Sequence, residues 1–242
     1  YNTDQVTITG FDGVSKVSYK HNEFDYKGEV DLLTTTKAKL PWRVDWAMRW
    51  AYEKVDFEPG GKDHSSKGGS FDTGKEIVKL FNWDQPQYLQ YEFVSVKGKK
   101  GKMASSEGNV ITVNDVLDVY EPEMLRWIFA SYKPNAEFSV SFDLDVIKSY
   151  EDFDRMERLA YGVDTGNEKK VNMAKRVYEL SQINEMPKEM PFQPSFRHLC
   201  NILQIHSGDI SKAEEVYQSE IKNERDERRF QQRANCALFW LK

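Results

Sequence analysis

The chain has 242 residues, 39% of them apolar and 30% charged, with a net charge of −5. That composition is globular and long enough to bury a sizeable core, and its charge excludes a uniformly basic nucleic-acid binder. No stretch reaches membrane-span length and no secretory signal opens the chain, while two cysteines, Cys200 and Cys236, exclude a disulfide scaffold and point to a reducing, cytoplasmic setting. No Cys-x-x-Cys or His-x-x-x-His spacing occurs, so no structural zinc site and no protein-bound metal are expected.

Residues 1–39 carry short alternating runs, Val6–Thr9 and Val14–Tyr19, which predict a small antiparallel β element. Pro41 then opens a helical pattern through Tyr52, with Trp42, Trp46 and Trp50 at i, i+4 and i+8. A Gly-Gly-Lys-Asp-His turn (residues 60–64) follows, and a helix is expected over Lys75–Phe81. Tyr88–Val96, aromatic and β-branched, reads as one buried strand. After it, Lys97–Asn109 packs four lysines among three glycines, with two hydroxyls behind Met103. Thr112 is a helix cap, Pro122 a first helical residue, and Phe138–Phe142 alternates like a short strand. Asp143-Leu144-Asp145 opens another helix. From about residue 150 long charged helices follow, broken near Pro187 and at Pro191–Pro194. The charge run from Glu214 to Arg233 reads as a solvated helix face, with Arg225, Arg228 and Arg229 available to an RNA.

Two constellations carry chemistry. Glycines in the lysine loop let backbone N–H groups approach a ligand, and the ammoniums and hydroxyls of Lys102, Ser105 and Ser106 suit a polyphosphate. A plain solvated basic turn is the competing reading. In the 60–64 turn, Gly60 and Gly61 allow close approach, while Asp63 and His64 can bond ribose hydroxyls or a substrate amine. A loop histidine satisfied by its neighbours is the alternative there. The turn lies 38 residues before Lys102, from 64 to 102, with a helix and a strand between. That alternation suits the carboxyl edge of an α/β sheet.

On these residues the chain resembles the class I aminoacyl-tRNA synthetases. Lys102-Met103-Ala104-Ser105-Ser106 is similar to their signature loop, usually Lys-Met-Ser-Lys-Ser, which closes on ATP and stabilises pyrophosphate departure. Ala104 replaces a serine and Ser105 the second lysine, which leaves one cationic contact to Lys99 or Lys100. Residues 40–46, 58–64 and 68–74, with Tyr91-Glu92-Phe93 ahead of Gly101-Lys102-Met103, resemble the class I lysyl-tRNA synthetases of archaea and some bacteria. The resemblance is specific over residues 38–145 and looser beyond. It implies an α/β fold: the C-terminal half of a Rossmann-type, doubly wound catalytic domain with a small β insertion, then an all-helical region. The implied boundaries are an insertion over 1–39, the Rossmann half over 40–111, a stem-contact-like region over 112–150 and a helical domain over 151–242.

The implied activity is ATP-dependent activation of lysine and its transfer to tRNA(Lys). ATP with accompanying Mg2+, lysine and tRNA are the expected ligands, the protein is expected to be monomeric, and tRNA is usually required for adenylate formation. Lys102, Ser105 and Ser106 take the catalytic role. Gly60, Gly61, Asp63, His64, Lys102 and Met103 take the ATP, and Trp42, Trp46, His64 and Tyr91 the lysine. An aromatic wall suits the alkyl stem of lysine and attracts its ammonium, whereas Trp50 is assigned to the core. The four histidines form no His-x-x-His pair, the other class I signature. The chain also starts at Tyr1 and ends within a helical pattern, so it is expected to be a piece of a larger protein. Residues 18–23, where the family can carry zinc knuckles, hold no cysteine. A glutamyl- or arginyl-type synthetase and a noncatalytic RNA-binding module remain the alternatives.

Overall fold

The computed structural model describes residues 5–98 and 110–242. Lys102, Met103, Ser105 and Ser106 lie outside the described residues. The chain is a mixed α/β protein of short antiparallel and parallel sheets and many helices, and it divides into two units, Tyr1–Glu92 and Phe93–Lys242.

The first unit opens with the expected antiparallel meander, β1 (Val6–Phe11), β2 (Lys16–His21) and β3 (Lys27–Asp31). Asp12 closes the first turn by accepting the N–H groups of Val14, Ser15 and Lys16, each at 2.9 Å, and Gly13 supplies the left-handed residue at φ 81°. Helix α1 (Trp42–Tyr52) follows Pro41, and its tryptophan stripe turns inward. Strand β4 (Phe57–Gly61) leads through a 3₁₀ turn (Lys62–His64) into α2 (Ser70–Ile77), a second 3₁₀ turn (Val78–Phe81) and β5 (Gln87–Tyr91). The helix expected over Lys75–Phe81 thus starts earlier and tightens at its end. β4 and β5 pair in parallel, Phe57 opposite Gln87 and Gly61 opposite Tyr91, the pairing that a helical crossover permits. Trp46, Ala47, Trp50, Phe71 and Val78 form this unit's core. Gly74 is where α2 meets α1: a Cβ there would lie 2.8 Å from the Trp50 ring.

The single buried strand expected over Tyr88–Val96 is instead two strands. β5 ends at Tyr91, and β6 (Val94–Val96) pairs in parallel with β7 (Phe138–Val140). Leu89 and Tyr91 are exposed, because β5 belongs to a two-stranded sheet rather than to the middle of a wide one.

In the second unit, α3 (Val113–Leu117) and α4 (Pro122–Ser131) separate β6 from β7, and five helices follow: α5 (Asp145–Ala160), α6 (Glu168–Ser181), α7 (Phe196–Ile205), α8 (Ile210–Tyr217) and α9 (Glu224–Leu241). Thr112 caps α3 and Pro122 sits at the start of α4, as expected, and Asp115 completes a reciprocal capping box with Thr112. Asn167, Ser195, Asp209 and Asn223 cap α6 to α9. Tyr150, Phe153, Leu199, Leu203 and Phe230 are fully buried at the centre.

The Glu214–Arg233 run is not one solvated face. It breaks between α8 and α9, and two of its arginines point inward. Arg233 is 0% exposed: its guanidinium holds both Asp154 oxygens at 2.9 Å, pairs with Glu121, and donates to the Pro194 carbonyl at 2.8 Å. Arg229 bridges Glu121 at 2.6 Å and Glu157 at 3.3 Å, and Tyr178 donates to Glu157 at 2.7 Å. Arg229 is therefore not available to an RNA, whereas Arg228 remains exposed. The reason is position: Phe230, Arg233, Ala234 and Ala237 share the helix face that packs inward.

Candidate functional site

Strands β4 and β5 end side by side, and the residues at their carboxyl ends make the site. Gly60 and Gly61 are buried, and Gly60 is held to glycine by the Tyr88 ring, whereas at Gly61 only the movable Asp63 carboxylate stands close. A Cβ on Gly60 would stand 1.9 Å from the Tyr88 hydroxyl; one on Gly61 would meet Asp63 Oδ1 at 2.7 Å and the Tyr91 ring at 3.6 Å. The Asp63 carboxylate therefore sits over Gly61 next to Tyr91, and its Oδ1 lies 3.9 Å from His64 Nε2.

Helix α1 brings its tryptophans to the same turn. The His64 ring lies 5.9 Å from Trp42 and 5.7 Å from Trp46, centroid to centroid. Trp42 is 51% exposed, Trp46 only 7% and Tyr91 45%. Trp46 is thus a core residue whose ring also backs His64, while Trp42 and Tyr91 present open aromatic faces. Trp50 is fully buried and donates its indole N–H to Glu58 at 3.2 Å. Arg43, on the first turn of α1, donates to the Gly68 carbonyl at 3.0 Å and ties the helix to the second glycine turn. The Gly68 N–H in turn donates to Asp72 and holds its carboxyl below the usual range.

Of the residues singled out in the sequence, Trp42, Trp46 and His64 come into ring contact, and Gly61, Asp63 and Tyr91 gather beside them. Four others hold this arrangement and were not foreseen: Lys62, Ser65, Tyr88 and Glu92. Tyr88 stacks on Phe71 at 3.7 Å, and its hydroxyl meets Ser65 at 2.7 Å. Lys62 pairs with Glu92 at 2.9 Å. No local spacing signals these pairs, whose partners lie 23 and 30 residues apart. Open aromatic faces next to a carboxylate and an imidazole can hold an alkyl chain that carries a cation. Among the described residues no group of three or more His, Cys, Asp or Glu side chains is placed to hold a metal ion, and no helix is long and apolar enough to cross a membrane.

Comparison with known proteins places this chain in a family. A lysine–tRNA ligase of Borreliella burgdorferi is 48% identical over 241 residues, covering 100% of this chain and 46% of the relative. One from Treponema pallidum is also 48% identical, over 99% of this chain and 45% of the relative. One from Thermococcus kodakarensis is 44% identical over 83% of this chain and 38% of its own length. The chain therefore spans about half the length of the curated relatives it matches. The profile of the family described as tRNA synthetases class I (K) matches residues 2–184, most of the chain's length, and the chain belongs to that family.

Proposed function

We propose that the chain supplies the second half of a Rossmann-type catalytic domain, and the region after it, to a lysine–tRNA ligase. In this reading the whole protein joins the lysine carboxylate to the α-phosphate of ATP, releases pyrophosphate, and passes the lysyl group to tRNA(Lys). Residues 1–39 are an insertion, 40–111 the Rossmann half, 112–150 a stem-contact-like region and 151–242 a helical domain. The setting is cytoplasmic and the protein a monomer.

Each site residue then has a task. Trp42 and Tyr91 enclose the lysine stem, with Trp46 behind, and His64 stands toward the reacting end. Gly60, which leaves room for the Tyr88 ring, and Gly61 present their backbone to ATP, and Asp63 accepts from ribose hydroxyls. Lys102, with Met103, Ser105 and Ser106, meets the polyphosphate, and Mg2+ enters with it. The observation that carries the reading is the convergence of Trp42, His64, Asp63 and Tyr91 where β4 and β5 end.

The test is ATP–pyrophosphate exchange by the full-length protein with tRNA, using lysine, glutamate and arginine in turn. Lysine-dependent exchange is the expected result. Exchange with glutamate or arginine instead would reassign the pocket, and none with any amino acid would leave an RNA-binding module. The 242-residue chain alone, which holds no His-x-x-His pair, should give no lysine-dependent exchange even with tRNA.

A further inference from the structure

Asp63 and His64 sit on a turn of three residues, Lys62–His64, too short to be rigid by itself. Its entry residue, Gly61, offers no side-chain cap. Both flanks of the turn are nonetheless tied to one strand. On the far side, Ser65 donates its hydroxyl to the Gly61 carbonyl at 2.8 Å, so the contact with Tyr88 at 2.7 Å has the tyrosine as donor. On the near side, the Lys62 ammonium lies 2.9 Å from the Glu92 carboxylate, one residue past the end of β5. Between these two ties run only Asp63 and His64.

The Lys62–Glu92 pair is not an ordinary surface ion pair. The Glu92 side chain is 17% exposed, so its charge is partly withdrawn from water and poorly screened, while the Lys62 side chain is 46% exposed. The ammonium at contact distance from this shielded carboxylate holds the first residue of the turn close to the end of β5. Tyr91, the open aromatic face of the site, is the residue immediately before Glu92. The pair thus couples the turn bearing His64 to the strand end bearing Tyr91.

We propose that Glu92, acting through Lys62, is a positioning residue that fixes Asp63 and His64 against Trp42 and Tyr91. The proposal rests on the lysine–tRNA ligase reading for its kinetic consequence, but not for its structural one. The distance between the turn and the two aromatic faces is what the ion pair holds constant. Misplacing such groups by a fraction of an ångström is enough to slow a reaction that depends on orientation.

The test uses the full-length protein with Glu92→Gln, Lys62→Met, the double variant, and the exchanged pair Lys62→Glu with Glu92→Lys. Two readouts are taken beside the thermal midpoint. One is kcat and KM in tRNA-supported exchange, for lysine and for ATP. The other is the NMR signal of the His64 ring, which the Trp42 and Trp46 rings shift by their proximity. Each single variant should lower kcat/KM for lysine on the order of tenfold and move the His64 signal, with the thermal midpoint nearly unchanged. The double variant should be no worse than either single, and the exchanged pair should recover most of both signals. An unmoved His64 signal in both single variants overturns the proposal, as does a double variant whose loss is the product of the two singles. A loss that follows the thermal midpoint with no recovery in the exchanged pair also overturns it. Should the wild-type protein show no lysine-dependent exchange, the ligase reading fails, and the His64 signal still decides the positioning role.

Discussion

Trp42 and Trp46 stack, with centroids 5.4 Å apart and ring planes 18° from parallel, yet the first is half-exposed and the second buried. One turn of helix thus separates a ring anchored in the core from a ring held at the surface in a fixed orientation. A surface indole pinned by a buried one is preorganised for a ligand, because little side-chain freedom is left to lose on binding. Trp42→Ala should raise KM for lysine by an amount worth about 2 kcal/mol, from lost apolar contact and cation–π attraction together, and leave KM for ATP nearly unchanged. Equal losses for both substrates, measured in the exchange assay, would remove Trp42 from the lysine pocket.

Trp50 is the control on the same helix. It is fully buried and faces Gly74 of α2, with no open surface. Trp50→Ala should cost about 3–5 kcal/mol of stability with no selective effect on lysine. Gly74→Ala should destabilise as well, by about 1–3 kcal/mol, because the new methyl enters the space of the indole ring. Thermal and denaturant unfolding check both.

Lys102→Ala should lower the rate of lysine activation on the order of 10²–10³ while leaving lysine binding nearly intact. In the proposed reading the loop lysine meets charge that develops on the departing pyrophosphate, so its contribution would fall mainly on the transition state. Pre-steady-state adenylate formation separates the two effects. A raised lysine KM with unchanged kcat would contradict the role.

Arg233→Met should destabilise by about 3–5 kcal/mol, because it strands the buried carboxylates of Asp154 and Glu121. Burial already pushes the Asp154 carboxyl up from its ordinary value, and Arg233 opposes that shift. Without the arginine the Asp154 carboxyl should hold its proton to still higher pH in the folded state. The deficit should therefore be smallest in acid and grow as pH rises. Unfolding midpoints across pH for wild type and variant give the measurement.

Lys97 lies between Asp143, at 3.1 Å, and Asp145 in the second unit. The Asp145 backbone N–H, and then Lys97, hold the Asp143 carboxyl below its ordinary value of 3.8. Asp145 and then Asp143 hold the Lys97 ammonium above its ordinary 10.5. The aspartate's contribution to stability is complete above 3.8 and lost as pH falls through the lowered value. That of the lysine is complete below 10.5 and lost as pH rises through the raised one. Asp143→Asn should flatten the acid limb of the stability profile and draw in the alkaline limb; unchanged limbs would show that solvent screens the cluster completely.

The sequence alone determined the features that depend on near neighbours. Thr112 and Asp115 are three residues apart and close a capping box whatever surrounds them, and Pro122 at the head of α4 is fixed by its missing N–H. Trp42, Trp46 and Trp50 share one helix face by period alone, and the Pro187–Pro194 stretch keeps α6 and α7 apart. The tertiary structure decided everything that depends on which distant group arrives opposite. An arginine in a charged helix looks solvated until Asp154 and Glu121, on other elements, are brought to it; only then is burying Arg233 less costly than exposing the face it shares with Phe230. The run Tyr88–Val96 is rich in aromatic and β-branched residues, and it divides after Tyr91 because β4 and β7 pair with its two halves separately. Likewise Glu92 carries no local signal of its task. Its meaning comes from Lys62, 30 residues earlier, which chain folding alone sets at contact distance.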